Sequence, residues 1–287
     1  MPLDLSHPDC EPPDCPEWAK ETLPPHIQRF RGRNGMPSPY AERTEPLALN
    51  VRGVDRYHAN QFIPYRIETA DYLYNEYTPL EVNYRKGLLP SCEELARDIT
   101  DGLETQTEKL LALVTEGMKH VKHPVSPCCG PPVEADRNLD DESLLKSGKG
   151  WCNEQARVLI RLCQALGIQG RICQTFYSDT KTGHCIAECY VDGGWAMVDA
   201  TWLCAFPGPD GRLLSAADCH DGGEGQRHCG LATFKRKQEL GALSDEELNF
   251  PTQERLDNFR KQVAEMTAED WANRMNCFAL INYPLPT

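Results

Sequence analysis

The sequence predicts an α+β domain, a helical layer packed on an antiparallel sheet, and three stretches predict it. Residues 153–166 set apolar side chains at helical spacing. Residues 170–199 alternate β-forming runs with turn residues. Residues 278–283 (FALINY) form a closing strand.

The helix comes first because of what precedes it. Gly148 and Gly150 flank Lys149 and give a flexible, close-fitting approach to Cys152. From Asn153 the pattern is helical: Ala156, Leu159, Ile160, Cys163 and Leu166 make one apolar stripe. Gly167 ends it as a left-handed cap. Cys152 therefore stands at or just before a helix N-terminus. Unpaired backbone N–H groups and the positive end of the macrodipole point there, and both favour a thiolate. The Cys152 N–H is also a candidate donor to a developing oxyanion.

The strands follow. Gly170 to Tyr177 is rich in β-formers, Lys181-Thr182-Gly183 is a turn, and His184 to Val191 is a second strand. Asp192-Gly193-Gly194 is a hairpin turn and Trp195 to Asp199 a third strand. His184, Ile186 and Glu188 share a face, as do Trp195, Met197 and Asp199. A turn over residues 192–194 sets His184 opposite about residue 202, with Asp199 a near diagonal neighbour. A lone Cys on a helix is ordinarily a small buried hydrophobe, and a lone His on a strand a satisfied core residue. Together, Cys152, His184 and Asp199 read as a thiolate nucleophile, its imidazole base and the carboxylate that orients the imidazole.

This region resembles the transglutaminase-like core of the papain-like cysteine enzymes. The resemblance rests on Gly150-Trp151-Cys152 leading a helix, Ala165-Leu166-Gly167-Ile168 before Arg171, and Gly183-His184. It rests also on Gly194-Trp195 followed by Val198-Asp199-Ala200-Thr201-Trp202. It implies that Cys152 is the nucleophile, His184 the general base and acid, and Asp199 the orienting carboxylate. It also implies that amide bonds are cleaved or formed through a thioester acyl-enzyme. Cys185 stands where the family often has an aromatic residue after the histidine. Two other readings stay open. One is an arylamine N-acetyltransferase-like enzyme, which uses a similar Cys, His, Asp order and is compatible with Gly150 to Glu154. The other is a non-catalytic module that holds a peptide in the cleft.

Residues 1–50 form a Pro-rich N-terminal extension, with Cys10 and Cys15 among prolines, and Trp18, Ile27, Phe30 and Tyr40 as anchors for wrapping the domain. Residues 51–90 form a Tyr-rich extension. Its aromatics, Tyr57, Phe62, Tyr65, Tyr72, Tyr74, Tyr77 and Tyr84, either pack on the core or line a substrate cleft, with packing favoured. Residues 91–287 are assigned to the transglutaminase-like catalytic domain. Within it, residues 91–122 read as a long helical stretch with Ser91 as N-cap and Gly102 as a break. Residues 123–147 connect, through the vicinal pair Cys128-Cys129 and a short helix over 136–146. Residues 203–230 read as a Gly- and Asp-rich loop. Its Cys219-His220 and His228-Cys229 leave three readings open: a loop over the site, a plain surface loop, or a Cys/His metal site. Helices follow, capped by Ser244 and Thr252, with a further turn over 267–271.

Composition narrows the function. The net charge of −13 and the lack of a basic run exclude a phosphate-backbone partner. No run of about 18 apolar residues occurs, so no transmembrane helix and no membrane partner are expected. The opening MPLDLSHPDC lacks a basic region followed by an apolar one. Fourteen cysteines in a chain of this length are therefore expected as reduced cytosolic thiols, with Cys163, Cys173, Cys185 and Cys189 in the core. No C-x-x-C pair and no EF-hand-like loop occur, so neither a zinc-ribbon site nor calcium is implied and no cofactor is assigned. The expected partner is a peptide, protein or small amide substrate. The oligomeric state is left open.

Overall fold

The computed structural model describes residues 63–65, 67–122, 139–177, 183–220, 224–248, 250, 252–272, 275–283 and 285. The Pro-rich extension, Tyr57, Phe62 and the Cys128-Cys129 pair lie outside them.

A short strand β1 (Ile63–Pro64) leads to helix α1 (Ile67–Asn75). Helices α2 (Pro90–Thr100) and α3 (Gln106–Thr115) follow, then a 3₁₀ turn over Gly117–His120 and helix α4 (Asp141–Ser147). Helix α5 (Cys152–Ala165) precedes strands β2 (Gly170–Tyr177), β3 (Gly183–Val191), β4 (Gly194–Asp199) and β5 (Cys204–Ala205). Helices α6 (Glu224–Gly241), α7 (Asp245–Leu248), α8 (Gln253–Glu265) and α9 (Ala268–Ala272) lead to strand β6 (Met275–Asn282). The six strands form one sheet in the order β1-β6-β2-β3-β4-β5, with every neighbouring pair antiparallel. The expected α+β architecture, a helical layer on an antiparallel sheet, is what the chain adopts.

Strand alternation divides the core. Ile172, Cys185, Ala187, Cys189, Ala196 and Val198 face the layer of α2 to α5. Cys173, Ile186, Met197 and Leu280 face a second apolar cluster with Tyr72 and Leu73 of α1 and Cys229 of α6. The cysteines expected in the core are buried, and the thiols of Cys163 and Cys189 lie 3.8 Å apart. Tyr72 and Tyr77 are buried, and Tyr65 and Tyr74 pack partly buried against the same cluster. These tyrosines are packing, as favoured.

Four local expectations are corrected. The sequence marks one apolar stripe on α5, yet Asn153, Glu154, Gln155, Arg157, Arg161 and Gln164 are buried too. Partners make this possible: Arg157 and Arg161 share the Asp141 carboxylate, at 2.6 and 2.7 Å, and Tyr283 donates its hydroxyl to the same carboxylate at 2.8 Å. Helix α2 begins at Pro90 rather than after a Ser91 cap. Proline fits the first helical position, and the free N–H groups of Ser91 and Cys92 are taken by the Glu142 carboxylate. Residues 224–230 are helix, not loop. The buried stripe of α6 is Gln226, Cys229, Gly230, Thr233, Lys237 and Leu240, helical in spacing but mostly not apolar.

The fourth correction concerns register. Val191 pairs with Gly194, so the β3–β4 turn is the two residues Asp192-Gly193, both with positive φ (47° and 88°). Ala187 then pairs with Val198. The pairing is one residue tighter than a three-residue turn gives. Because side chains alternate, one residue decides the face. The observed register continues Asp199 onto the face of Ile186 and His184. Asp192 also fixes this turn to the helical layer, accepting from the N–H groups of Gln106 and Thr107 at the start of α3.

Candidate active site

Cys152 is the first residue of α5 and is partly exposed. Gly150 allows the approach: a Cβ there would sit 3.1 Å from both Val121 Cγ1 and Glu154 Cβ. The segment is pinned by backbone bonds from Lys122 N–H to Gly148 O (2.8 Å) and from Gly150 N–H to Lys122 O (2.9 Å). Glu154 turns back and accepts from the Trp151 N–H at 2.7 Å, capping the helix in front of the thiol. At the other end, the Gly167 N–H bonds Gln164 O and the Ile168 N–H bonds Cys163 O, with Gly167 at φ 77°. The left-handed cap is where the sequence set it.

His184 and Asp199 are 8% and 3% exposed. His184 Nε2 lies 2.9 Å from Asp199 Oδ2, and the Cys152 side chain hydrogen-bonds the same imidazole. The three residues chosen from the sequence are thus brought together. The main chain at His184 is held as well: its carbonyl accepts from Thr175 Oγ1 at 3.0 Å and Gln174 Nε2 at 3.1 Å.

The electrostatics follow from these contacts. Burial disfavours the imidazolium, but the Asp199 carboxylate and the Cys152 side chain outweigh it and raise the His184 pKa to about 10. Burial also pushes the Asp199 carboxyl up. His184 and the N–H groups of Trp202 and Thr201, bonded to Oδ1 at 3.0 and 2.8 Å, hold it below its ordinary value. The imidazole lies between a sulfur and a carboxylate, and both neighbours favour its protonated form.

Trp202 anchors the loop after Asp199 to the C-terminal helices. Its carbonyl accepts from Arg236 Nε at 3.1 Å, Lys237 Nζ lies 4.0 Å from the ring centroid, and the ring stacks on Phe259 at 6.2 Å. Sequence reading did not connect these segments, because a cation on an aromatic face has no periodic signature.

The four Cys and His residues near position 220 do not converge on a metal. The Cys229 thiol, pushed well up by its bond to Cys219 and by burial, sits in the apolar cluster. The His220 ring lies 4.7 Å from that of Tyr65, and His228 faces Glu224 at 3.7 Å. Among the described residues no three His, Cys, Asp or Glu side chains gather into a cation site. Among the same residues no helix is long and apolar enough to cross a membrane.

Residues 93–200 match the model of the Transglutaminase-like superfamily, a span that holds Cys152, His184 and Asp199. The family resemblance carried by the motifs therefore extends from α2 to the end of β4. A crystal structure described as "a Putative Cysteine Protease from Cytophaga hutchinsonii" is similar over 46% of this chain and 48% of that one, about half its length. The identity is 20% and the TM-score 0.34. No curated protein matches the chain. The family match supports a cysteine-dependent enzyme in general terms.

Proposed function

We propose that the chain is a cysteine-dependent acyl-transfer enzyme acting on amide carbonyls of a peptide, protein or small-molecule substrate. In this reading residues 91–287 form the catalytic domain. One observation carries the proposal: a partly exposed thiol at the first residue of a helix hydrogen-bonds an imidazole that is itself held by a buried carboxylate.

The chemistry follows from the proton positions. The Cys152 thiolate attacks the amide carbon, and the carbonyl π pair moves onto oxygen. The Cys152 N–H, at the helix start, is one donor to that oxyanion. The His184 imidazolium gives its proton to the leaving amine as the C–N bond breaks, leaving a thioester on Cys152 and a neutral imidazole. Water or an amine then attacks the thioester, His184 takes its proton, and the sulfur leaves as thiolate. The product is a carboxylic acid from water, or a new amide from an amine. Asp199 stabilises the imidazolium at both stages and fixes its orientation.

The test is acyl-enzyme trapping. The protein is quenched in acid after mixing with a panel of glutaminyl and other peptide amides, with and without a primary amine, and analysed by mass spectrometry. The expected result is an acyl adduct on Cys152 that free amine consumes, absent in Cys152→Ala. Turnover that persists in Cys152→Ala would overturn the reading. Acylation that requires acetyl-coenzyme A would favour the arylamine N-acetyltransferase alternative.

A further inference from the structure

We infer that Gln155 is a positioning residue for the site: its side-chain amide clamps together the approach to the nucleophile, the nucleophile helix and the loop that holds the orienting carboxylate. This inference rests on the Cys152–His184–Asp199 reading.

Gln155 is one turn along α5 from Cys152 and fully buried. A buried amide must place each of its polar groups. Here both ends are used. Gln155 Nε2 donates to the Val121 carbonyl at 2.7 Å, and Gln155 Oε1 accepts from the Thr201 hydroxyl at 2.7 Å. Each bond leads directly to the site. Val121 precedes Lys122, whose main chain bonds Gly148 and Gly150 and so sets the path into Cys152. Thr201 donates its N–H to Asp199 Oδ1 while Asp199 Oδ2 holds His184. A continuous series of hydrogen bonds therefore runs from the first turn of the nucleophile helix to the imidazole, without passing through Cys152.

The donor and acceptor ends of the amide are not interchangeable. Val121 offers only a carbonyl, so the NH₂ must face it. The oxygen must then face Thr201, whose hydroxyl donates. Thr201 is thereby tied to the helix by its hydroxyl while its N–H bonds Asp199. Nothing in this arrangement touches substrate. Its effect is to set the distance between thiol and imidazole, and so the ease of forming the thiolate–imidazolium pair.

The experiment measures the rate of Cys152 alkylation by iodoacetamide against pH, in the full chain, with folding followed by circular dichroism. The variants are Thr201→Val, Thr201→Ser, Gln155→Leu, the Gln155→Leu/Thr201→Val double and His184→Ala. Thr201→Val is near-isosteric and keeps the test open if Gln155→Leu does not fold. The expected result is that Thr201→Val labels about tenfold slower at pH 6, the size of one lost hydrogen bond. Its profile moves to higher pH, and Thr201→Ser restores both. The double variant is no slower than the slower single, because both remove one clamp. Wild-type profiles in Thr201→Val and in folded Gln155→Leu, beside a slowed His184→Ala, would overturn the clamp alone. A His184→Ala profile identical to wild type would overturn the triad reading and the clamp with it.

Discussion

Two carboxylate–cation pairs sit on the same face of the sheet, and they differ in what their cation can do. One is Arg171–Glu188, a cross-strand pair of β2 and β3, both residues 0% exposed and 2.8 Å apart. The other is His184–Asp199. The first is closed on every side. Arg171 lies between the rings of Tyr74 and Trp195, at 4.6 and 4.0 Å, and donates to the carbonyl of Leu73 and to Thr78 Oγ1. Glu188 also accepts from Tyr74 Oη and the Ala216 N–H. A guanidinium does not give up its proton, and this pair joins α1, the sheet and the 216 loop. His184 can change its proton, and its ring also meets a sulfur near the surface. Burial and pairing are common to both; a movable proton beside a partly exposed thiol belongs to one.

Breaking each pair in turn sharpens that contrast. The largest effect is expected at the second. His184→Ala and Asp199→Asn should each lower kcat/KM on the order of 10³–10⁴-fold while the protein stays folded by circular dichroism. At the first pair the loss should fall on stability instead. Arg171→Met leaves Glu188 buried without its cation and is expected to cost about 3–5 kcal/mol in urea denaturation, much of it restored by adding Glu188→Leu. The folded variant should keep its turnover.

The pH limbs of stability separate the groups further. His184 has a raised folded-state pKa. The stability it contributes is present in full below its ordinary value of 6.5 and is lost as pH rises through about 10. Thermal melts should therefore fall across that window, and His184→Ala should flatten the limb. Asp199 and Asp141 run the other way. Burial raises the Asp141 carboxyl, but Arg157 and Arg161 outweigh it and carry its pKa down to about 2. Its contribution is present above its ordinary value of 3.8 and is lost as pH falls toward 2. Asp141→Asn should lower melting at neutral pH more than at pH 3. The smallest effect is expected far from both pairs. Thr252→Ala removes the hydroxyl that accepts from the Arg255 N–H at the start of α8, costing about 1 kcal/mol in denaturant and leaving Cys152 labelling unchanged.

The helix that begins at Cys152 and the three strands after it were legible in the sequence because each signal was local, and those elements bring Cys152, His184 and Asp199 together. The apolar stripe, the Gly167 cap and a turn starting at Asp192 are read within a few residues. The register was off by one because Gly194 could join either turn or strand, and only the partner strand decides. Helix α6 was missed because its buried positions carry Gln226, Gly230, Thr233 and Lys237, which no hydrophobic pattern reports. Gln155 carries no sequence signal for a similar reason. A glutamine beside an apolar stripe reads as a wet face until Val121 and Thr201, distant in sequence, supply its partners.

In the proposed mechanism the thiol and the imidazole act as one unit. The most direct test is iodoacetamide labelling of Cys152 against pH, mapped by mass spectrometry beside the other thirteen cysteines, in wild type and His184→Ala. Selective labelling of Cys152 near pH 6 that disappears in His184→Ala is the expected result. Labelling no faster than that of other exposed cysteines, and unchanged without His184, would contradict it.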